Sequence, residues 1–282
     1  WSSDVCSSEL LPTAPDEQML KILDFEAQQY LPIEINSHIV QSKKIDTIME
    51  DGVSKTRFLT TAVPVELARS YFKLFETASL NGAVLDIHSN SVDKLVQSGI
   101  LLGGDEHFNR GASAIIDFGY QGVNVMFFES GAFRFNRLIN QGTAVIDRNL
   151  MSYFNCSPRE AEEIKRRSVD LSRDEYSDFA VIDSAEEESA RANNMVRTAV
   201  EGWVTELERI FRYFVTRSSA NSLDQLYIYG GTVGLTGFSA YLQESLGITV
   251  ETIADIPGVR ARTGSLSSMT PFVNALGAML RR

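Results

Sequence analysis

Three strand-like runs follow one another between Ala112 and Ile139, joined by turns too short to hold any other element. Ala112–Asp117 reads as a buried strand. Val123–Phe128 and Phe133–Ile139 read as a hairpin, because Glu129-Ser-Gly131 has the chemistry of a tight reversal. A helix is predicted from Thr143 and another from Ser157-Pro-Arg-Glu160, where Ser157 and Glu160 are spaced for a capping box and Pro158 suits a first turn. A long helix spans Ala185–Arg217, with Val196, Val200, Trp203, Leu207, Ile210 and Phe214 in one apolar stripe. The chain then runs strand (Leu226–Tyr229), glycine-rich turn (Gly230–Gly237), helix, strand (Ile248–Thr252), loop and helix (Pro271–Leu280). This half, 112–282, is read as one α/β lobe.

The preceding residues, 16–111, read as the remainder of another lobe in the order αββαβα. Leu20, Leu23, Ala27 and Tyr30 recur at helical spacing over Asp16–Tyr30, and Pro32 stops that helix. Ile35–Ser42 and Thr56–Ala62 alternate apolar and polar residues and are expected to pair across Glu50-Asp51-Gly52. Pro64 opens a helix through Phe75, with Val65, Ala68, Tyr71, Phe72 and Phe75 on one face. Ala83–Ile87 is expected as a short strand and Ser91–Gly99 as a helix.

Residues 1–15 are set aside from the fold as a non-native or disordered leader. Trp1-Ser-Ser-Asp-Val-Cys-Ser-Ser-Glu-Leu10 has neither the basic nor the apolar region of a signal peptide and resembles translated sequencing-adapter read-through. No apolar run approaches the roughly 18 residues that cross a bilayer, so membrane contact is expected through a partner. With 37 acidic and 26 basic residues, a formal net charge of -11 and no basic stripe, nucleic acid is not an expected ligand. Cys6 and Cys156 stand far apart, and His38, His88 and His107 are isolated, which gives no zinc spacing, disulfide framework or catalytic triad.

Three local patterns can carry chemistry. In Ile115-Ile-Asp117-Phe-Gly119-Tyr120-Gln121, a carboxylate at a strand end can hold a metal ion, and the glycine lets backbone N–H groups approach a phosphate. In Gly230-Gly231-Thr232-Val-Gly234, glycines after a strand and before a helix suit phosphate or ribose. In Glu162-Glu-Ile-Lys165-Arg166, Glu162 and Lys165 share one helix face. Each has a plain alternative: a turn, close helix–strand packing, and a solvated charge pair.

Taken in order, the three resemble the second phosphate loop, the adenosine loop and the adenine-embracing helix of the actin, sugar kinase and heat-shock chaperone superfamily. Within it, Asp24-Phe-Glu-Ala-Gln-Gln-Tyr-Leu-Pro32 is similar to a characteristic stretch of PilM proteins. So are Gly131-x-Phe-x-Phe-x-Arg137 with Gly142, Ser157-x-x-Glu-Ala-Glu162-x-x-Lys165, Gly237-Phe-x-x-Tyr-Leu-x-Glu-x-Leu-Gly247 and Ala275-Leu-Gly277. The resemblance covers Asp16–Arg282. It implies a two-lobed, actin-like (ribonuclease H-like) α/β ATPase fold with an αββα insertion subdomain and without its N-terminal part.

The resemblance also implies ligands and partners. ATP would lie between Glu162, Lys165, Arg166 and Gly230, Gly231, Thr232, Gly234. Asp117 would hold magnesium, Gly119, Tyr120 and Gln121 would contact phosphate, and Asp86 would be the catalytic candidate at the metal-water position. The expected role is a cytoplasmic scaffold of type IV pilus assembly, peripheral to the inner membrane. It would bind the cytoplasmic tail of a PilN-like membrane protein beside the αββα subdomain, and pilus assembly ATPases are further candidate partners. Two departures bear on hydrolysis. The family's first phosphate loop would precede Asp16, so ATP and magnesium binding are expected to be weakened. Val123 stands where the family carries Thr, leaving Asn124 as the nearest polar group. The alternatives are an FtsA-like membrane-tethered filament former and a small-molecule kinase; the latter would need an acceptor-side base, and the sequence offers none.

Overall fold

The computed structural model describes residues 5–15, 17–19, 21–23, 25, 33–82, 84–172, 184–218, 220, 222–259 and 268–280. Two sheets organise them. The smaller is antiparallel, in the order β1-β3-β2, from β1 (Val5–Pro12), β2 (His38–Glu50) and β3 (Val53–Pro64). The β2–β3 turn is Asp51-Gly52, with φ of 52° and 77°, the paired positive values that let a two-residue turn follow the twist of its strands. The strands run further toward the turn than the alternation alone indicates, and Ile35–Ser37 is a 3-10 turn.

Two expectations differ from what is observed in this region. Val5–Pro12, set aside with the leader, pairs along its whole length with β3 and covers an edge that would otherwise present unpaired backbone groups. Residues 84–87 form no strand, since neither sheet extends to them to accept ladder hydrogen bonds. In α1 (Val65–Thr77) only Ala68 of the apolar face is buried; Tyr71, Phe72 and Phe75 are exposed. Residues 17–19 and 21–23 are helical, and Met19 and Leu23 pack on Phe58. Leu20, Ala27, Tyr30 and all of the Asp24–Pro32 motif except Phe25 lie outside the described residues.

The larger sheet has the order β6-β5-β4-β7-β8, from β4 (Ala112–Phe118), β5 (Val123–Glu129), β6 (Ala132–Ile139), β7 (Gln225–Tyr229) and β8 (Thr249–Thr252). The first three strands are antiparallel, and β7 and β8 then join β4 in parallel. Helices cover both faces. One face packs on α4 (Ala144–Phe154), α5 (Pro158–Ser168), α6 (Ser184–Val215) and α7 (Phe238–Leu246). The predicted stripe of α6 lies there, all six residues buried, and Trp203 packs on Phe118 and Phe238. The predicted capping box of α5 is formed: the Glu160 N–H donates to Ser157 Oγ and the Ser157 N–H to Glu160 Oε2.

The other face packs on α2 (His88–Gln97), α3 (Glu106–Arg110) and α8 (Val273–Met279), through Val92, Leu95, Phe108 and Val273 against Ile115, Phe128 and Tyr227. Residues 88–110, grouped with the first lobe in the sequence reading, therefore share a core with this sheet. Gly277 of α8 crosses α2 so closely that a Cβ would lie 2.1 Å from the Ser91 carbonyl oxygen. The smaller sheet docks on the larger through two bulges. Ile45, skipped in the β2 register, packs into the second core, and Arg134, skipped in β6, pairs with Asp46 and Glu129.

Candidate nucleotide site

Strand β4 alternates strictly, so Ala114, Ile116 and Phe118 face α6 while Ile115 and Asp117 face α2 and α8. Asp117 is thereby delivered, buried, to the end of the sheet where the chain turns through Gly119. Parallel pairing places Tyr229 opposite Asp117, and the next residue, Gly230, folds against the same turn. A Cβ on Gly230 would lie 2.6 Å from the Phe118 carbonyl oxygen and 2.7 Å from Asp117 Oδ1, and its φ is 105°. Only glycine fits there. Gly142 closes the turn from the third side, where a Cβ would lie 2.4 Å from the Gly119 carbonyl oxygen. From there α4 begins: the Thr143 and Ala144 N–H groups donate to the carbonyls of Gly119 and Tyr120.

A cavity of about 530 Å³ opens beside this turn. Asp86, Asp117, Gly119, Tyr120 and Gln121 all line it, so five of the residues chosen from sequence meet at one wall. Gly230, Gly231 and Gly234 do not line it: Gly230 packs against Asp117, and Gly231 and Gly234 follow in a 3-10 turn with open space where a side chain would stand. Thr232 is different. Its hydroxyl is buried, donating to the Phe118 carbonyl at 3.0 Å and sharing a hydrogen bond with Thr143, so it ties the two turns together and faces away from the opening.

Glu162, Lys165 and Arg166 do not line this cavity. The Lys165 ammonium is 2.6 Å from both Asp147 of α4 and Glu162, and Arg166 pairs with Glu162 at 2.9 Å. Burial alone would lower the Lys165 pKa, but the hydrogen bonds it donates to Asp147 and Glu162 hold it above its ordinary value. This cluster pins α5 to α4, which itself starts at the Gly119 turn.

The two carboxylates in the cavity are held differently. Asp86 Oδ1 accepts from the Ile87 N–H and Asn90, and Oδ2 from Ser91 and the buried Lys94 ammonium at 2.7 Å. Burial pushes its pKa up, yet Asn90, Lys94 and Ser91 together hold it below the usual carboxylate value. A carboxylate so fully engaged is a weak proton acceptor, and its evident work is to start α2. Asp117 is pushed up by burial, which the Asn274 amide, the His88 charge and Tyr229 only partly offset. Its Oδ2 accepts from Asn274 Nδ2 at 2.7 Å, while Oδ1 stays beside Gly230.

These residues fit a magnesium-bound phosphate. Magnesium is commonly held by one or two carboxylates, water and the phosphates themselves. A desolvated carboxylate next to a backbone position that must be glycine meets that need. Among the described residues no three His, Cys, Asp or Glu side chains gather as a metal cluster, so the protein would supply Asp117 and leave the remaining positions to phosphate and water. Sequence reasoning missed Asn274, Tyr229 and Thr143. The one available signal was a lone amide inside the otherwise apolar run Val273–Met279.

A family model for the type IV pilus assembly protein PilM matches residues 10–276. The chain belongs to the PilM family. Among solved structures it is similar to a PilM–PilN type IV pilus biogenesis complex, at 18% identity and a TM-score of 0.76, over 98% of this chain and 75% of that one. It also matches MreB5 of Spiroplasma citri bound to AMPPNP, at 15% identity and a TM-score of 0.49, over 76% of this chain and 63% of that one. No curated protein matches. The PilM fold is the two-lobed, actin-like α/β fold expected from the motifs, and the family places the chain in type IV pilus assembly. Several PilM-like motifs have structural explanations here: Gly142 and Gly277 permit close backbone approaches, and Ser157 with Glu160 caps α5. Among the described residues no helix is long and apolar enough to cross a membrane.

Proposed function

We propose that this PilM-family chain is a nucleotide-binding scaffold on the cytoplasmic side of the pilus assembly platform, holding the cytoplasmic tail of a PilN-like membrane protein. The observation that carries the nucleotide reading is the pairing of Asp117 Oδ1 with the bare backbone of Gly230 across the Gly119 turn. ATP would set its phosphates there with magnesium on Asp117, and Gly231 and Gly234 would border the adenosine. With Asp86 saturated and Val123 offering no hydroxyl, the bound nucleotide serves structure more than turnover.

A second cavity, of about 450 Å³, supports the partner reading. It lies between β2, β3, α1 and residues 84–87, and Ile39, Leu59, Val63, Phe72 and Val84 give it an apolar lining. Strand β2 is an edge strand, and Lys43 sits at the rim, paired with Asp93 at 2.7 Å. An extended peptide with alternating apolar side chains suits a groove beside a free strand edge. Calorimetry with a PilN-tail peptide tests this: Phe72→Glu, at a half-exposed position, should weaken the peptide at least about tenfold and leave ATP binding unchanged. Undiminished peptide binding by Phe72→Glu would place the tail elsewhere.

A further inference from the structure

The Asp117 carboxylate is not oriented by its own loop. A side-chain hydrogen bond of 2.7 Å reaches it from Asn274, 157 residues later in sequence, at the start of α8. The amide has a forced direction. An ionised carboxylate can only accept, so it must face the NH₂ end of Asn274. That leaves Asn274 Oδ1 for the hydroxyl of Tyr229, which donates to it at 2.8 Å. Tyr229 is almost wholly buried and sits opposite Asp117 in the β4–β7 pairing. The three side chains form one chain of hydrogen bonds with a single polarity, Tyr229 to Asn274 to Asp117.

The far end of α8 is held just as firmly. Lys94 donates to the Leu280 carbonyl at 2.7 Å while pairing with Asp86, and Gly277 lets α8 cross α2 in backbone contact. The helix therefore spans both carboxylates of the cavity, reaching Asp117 from its first turn and Asp86, through Lys94, from its last. Such a fixed strut can set where a ligand-facing oxygen points.

We infer that Asn274 is a positioning residue: by occupying Oδ2 of Asp117 it fixes Oδ1 beside Gly119 and Gly230, where the metal-bound phosphate would lie. The inference rests on the nucleotide reading of this cleft. A free Asp117 would rotate about its side-chain bonds, and the part of nucleotide affinity that depends on the metal would fall. Adenosine contacts, which lie elsewhere, would not change.

The test uses the full chain with Asn274→Leu, which keeps the shape and removes both hydrogen bonds, and Asn274→Ala as a smaller companion. ATP is titrated against wild type and variants, once in magnesium and once in EDTA, and a crystal structure of Asn274→Leu reports the Asp117 side chain. The expected result is an affinity about tenfold lower in magnesium, an EDTA affinity within about twofold of wild type, and a turned Asp117 carboxylate. Equal losses in magnesium and EDTA would assign Asn274 a general structural role and overturn the inference, as would no loss at all. If wild type shows no magnesium-dependent ATP binding, the nucleotide reading itself fails. An Asp117 carboxylate that keeps its orientation in Asn274→Leu overturns the positioning role whether or not ATP binds.

Discussion

The two faces of the larger sheet are built from the same strands and hold together by different means. On the α6 face, Ile116, Phe118, Phe127 and Trp203 meet in a continuous apolar core. On the opposite face the same strands present Asp117, Asn124, Tyr227 and Tyr229 among their apolar residues, and each buried polar group needs a partner. Tyr227 finds Asp105, and Tyr229 and Asp117 find Asn274. Both faces have an apolar core, and the second carries in addition the polar cost of a buried carboxylate and its partners. A period of two along β4 lets one strand serve both purposes.

The largest effect should come from breaking the apolar face. Trp203 is 1% exposed, and its indole N–H has no hydrogen-bond partner among the described residues, so its contribution is packing. Trp203→Ala should cost about 3–5 kcal/mol in denaturant unfolding. A loss under about 1 kcal/mol would mean that this face is not the stabilising one.

On the polar face the contrast lies between adjacent glycines. Gly230→Ala forces a Cβ against Phe118 and Asp117 at a φ that L-residues rarely adopt, and should cost roughly 1–3 kcal/mol. Gly231→Ala meets nothing within 4 Å and should change stability by less than about 0.5 kcal/mol while still weakening ATP binding. Equal destabilisation by both, measured by thermal unfolding, would contradict the tight fit assigned to Gly230.

Local patterns made one face far more legible in the sequence than the other. The α6 stripe, the β5–β6 hairpin and the Ser157 cap are each determined by residues a few positions apart, and all three form where expected. At the site, strand ends and backbone freedom pointed to Asp86, Asp117, Gly119, Tyr120 and Gln121, and all five line the cavity. Asn274 was not legible, because it meets Asp117 only after α8 packs across α2. The aromatic face of α1 shows a related limit: helical spacing shows that residues share a face without showing that anything covers it, and Tyr71, Phe72 and Phe75 stay exposed. Thr232 shows the same limit at one position, since a hydroxyl in a glycine-rich turn can point into the protein as easily as toward a ligand.

A smaller effect separates the two carboxylates of the cavity. The folded pKa of Asp86 lies below its unfolded value, so its contribution is present above about pH 4 and is lost as the pH falls through the folded pKa. Asp86→Asn should cost about 1 kcal/mol at neutral pH, and its difference from wild type should narrow toward pH 3. A gap that stays constant with pH would show that the charge on Asp86 contributes nothing to stability.

The central claim is that the Gly119 and Gly230 turns form one phosphate-binding wall, and backbone amide NMR tests it most directly. Adding ATP with magnesium to the chain should shift the amide signals of Gly119, Tyr120, Gly230, Gly231 and Gly234 together, with one common titration curve, and Asp117→Ala should abolish the shifts. Shifts confined to the groove between β2 and α1, or absent from both turns at millimolar ATP, would contradict the account.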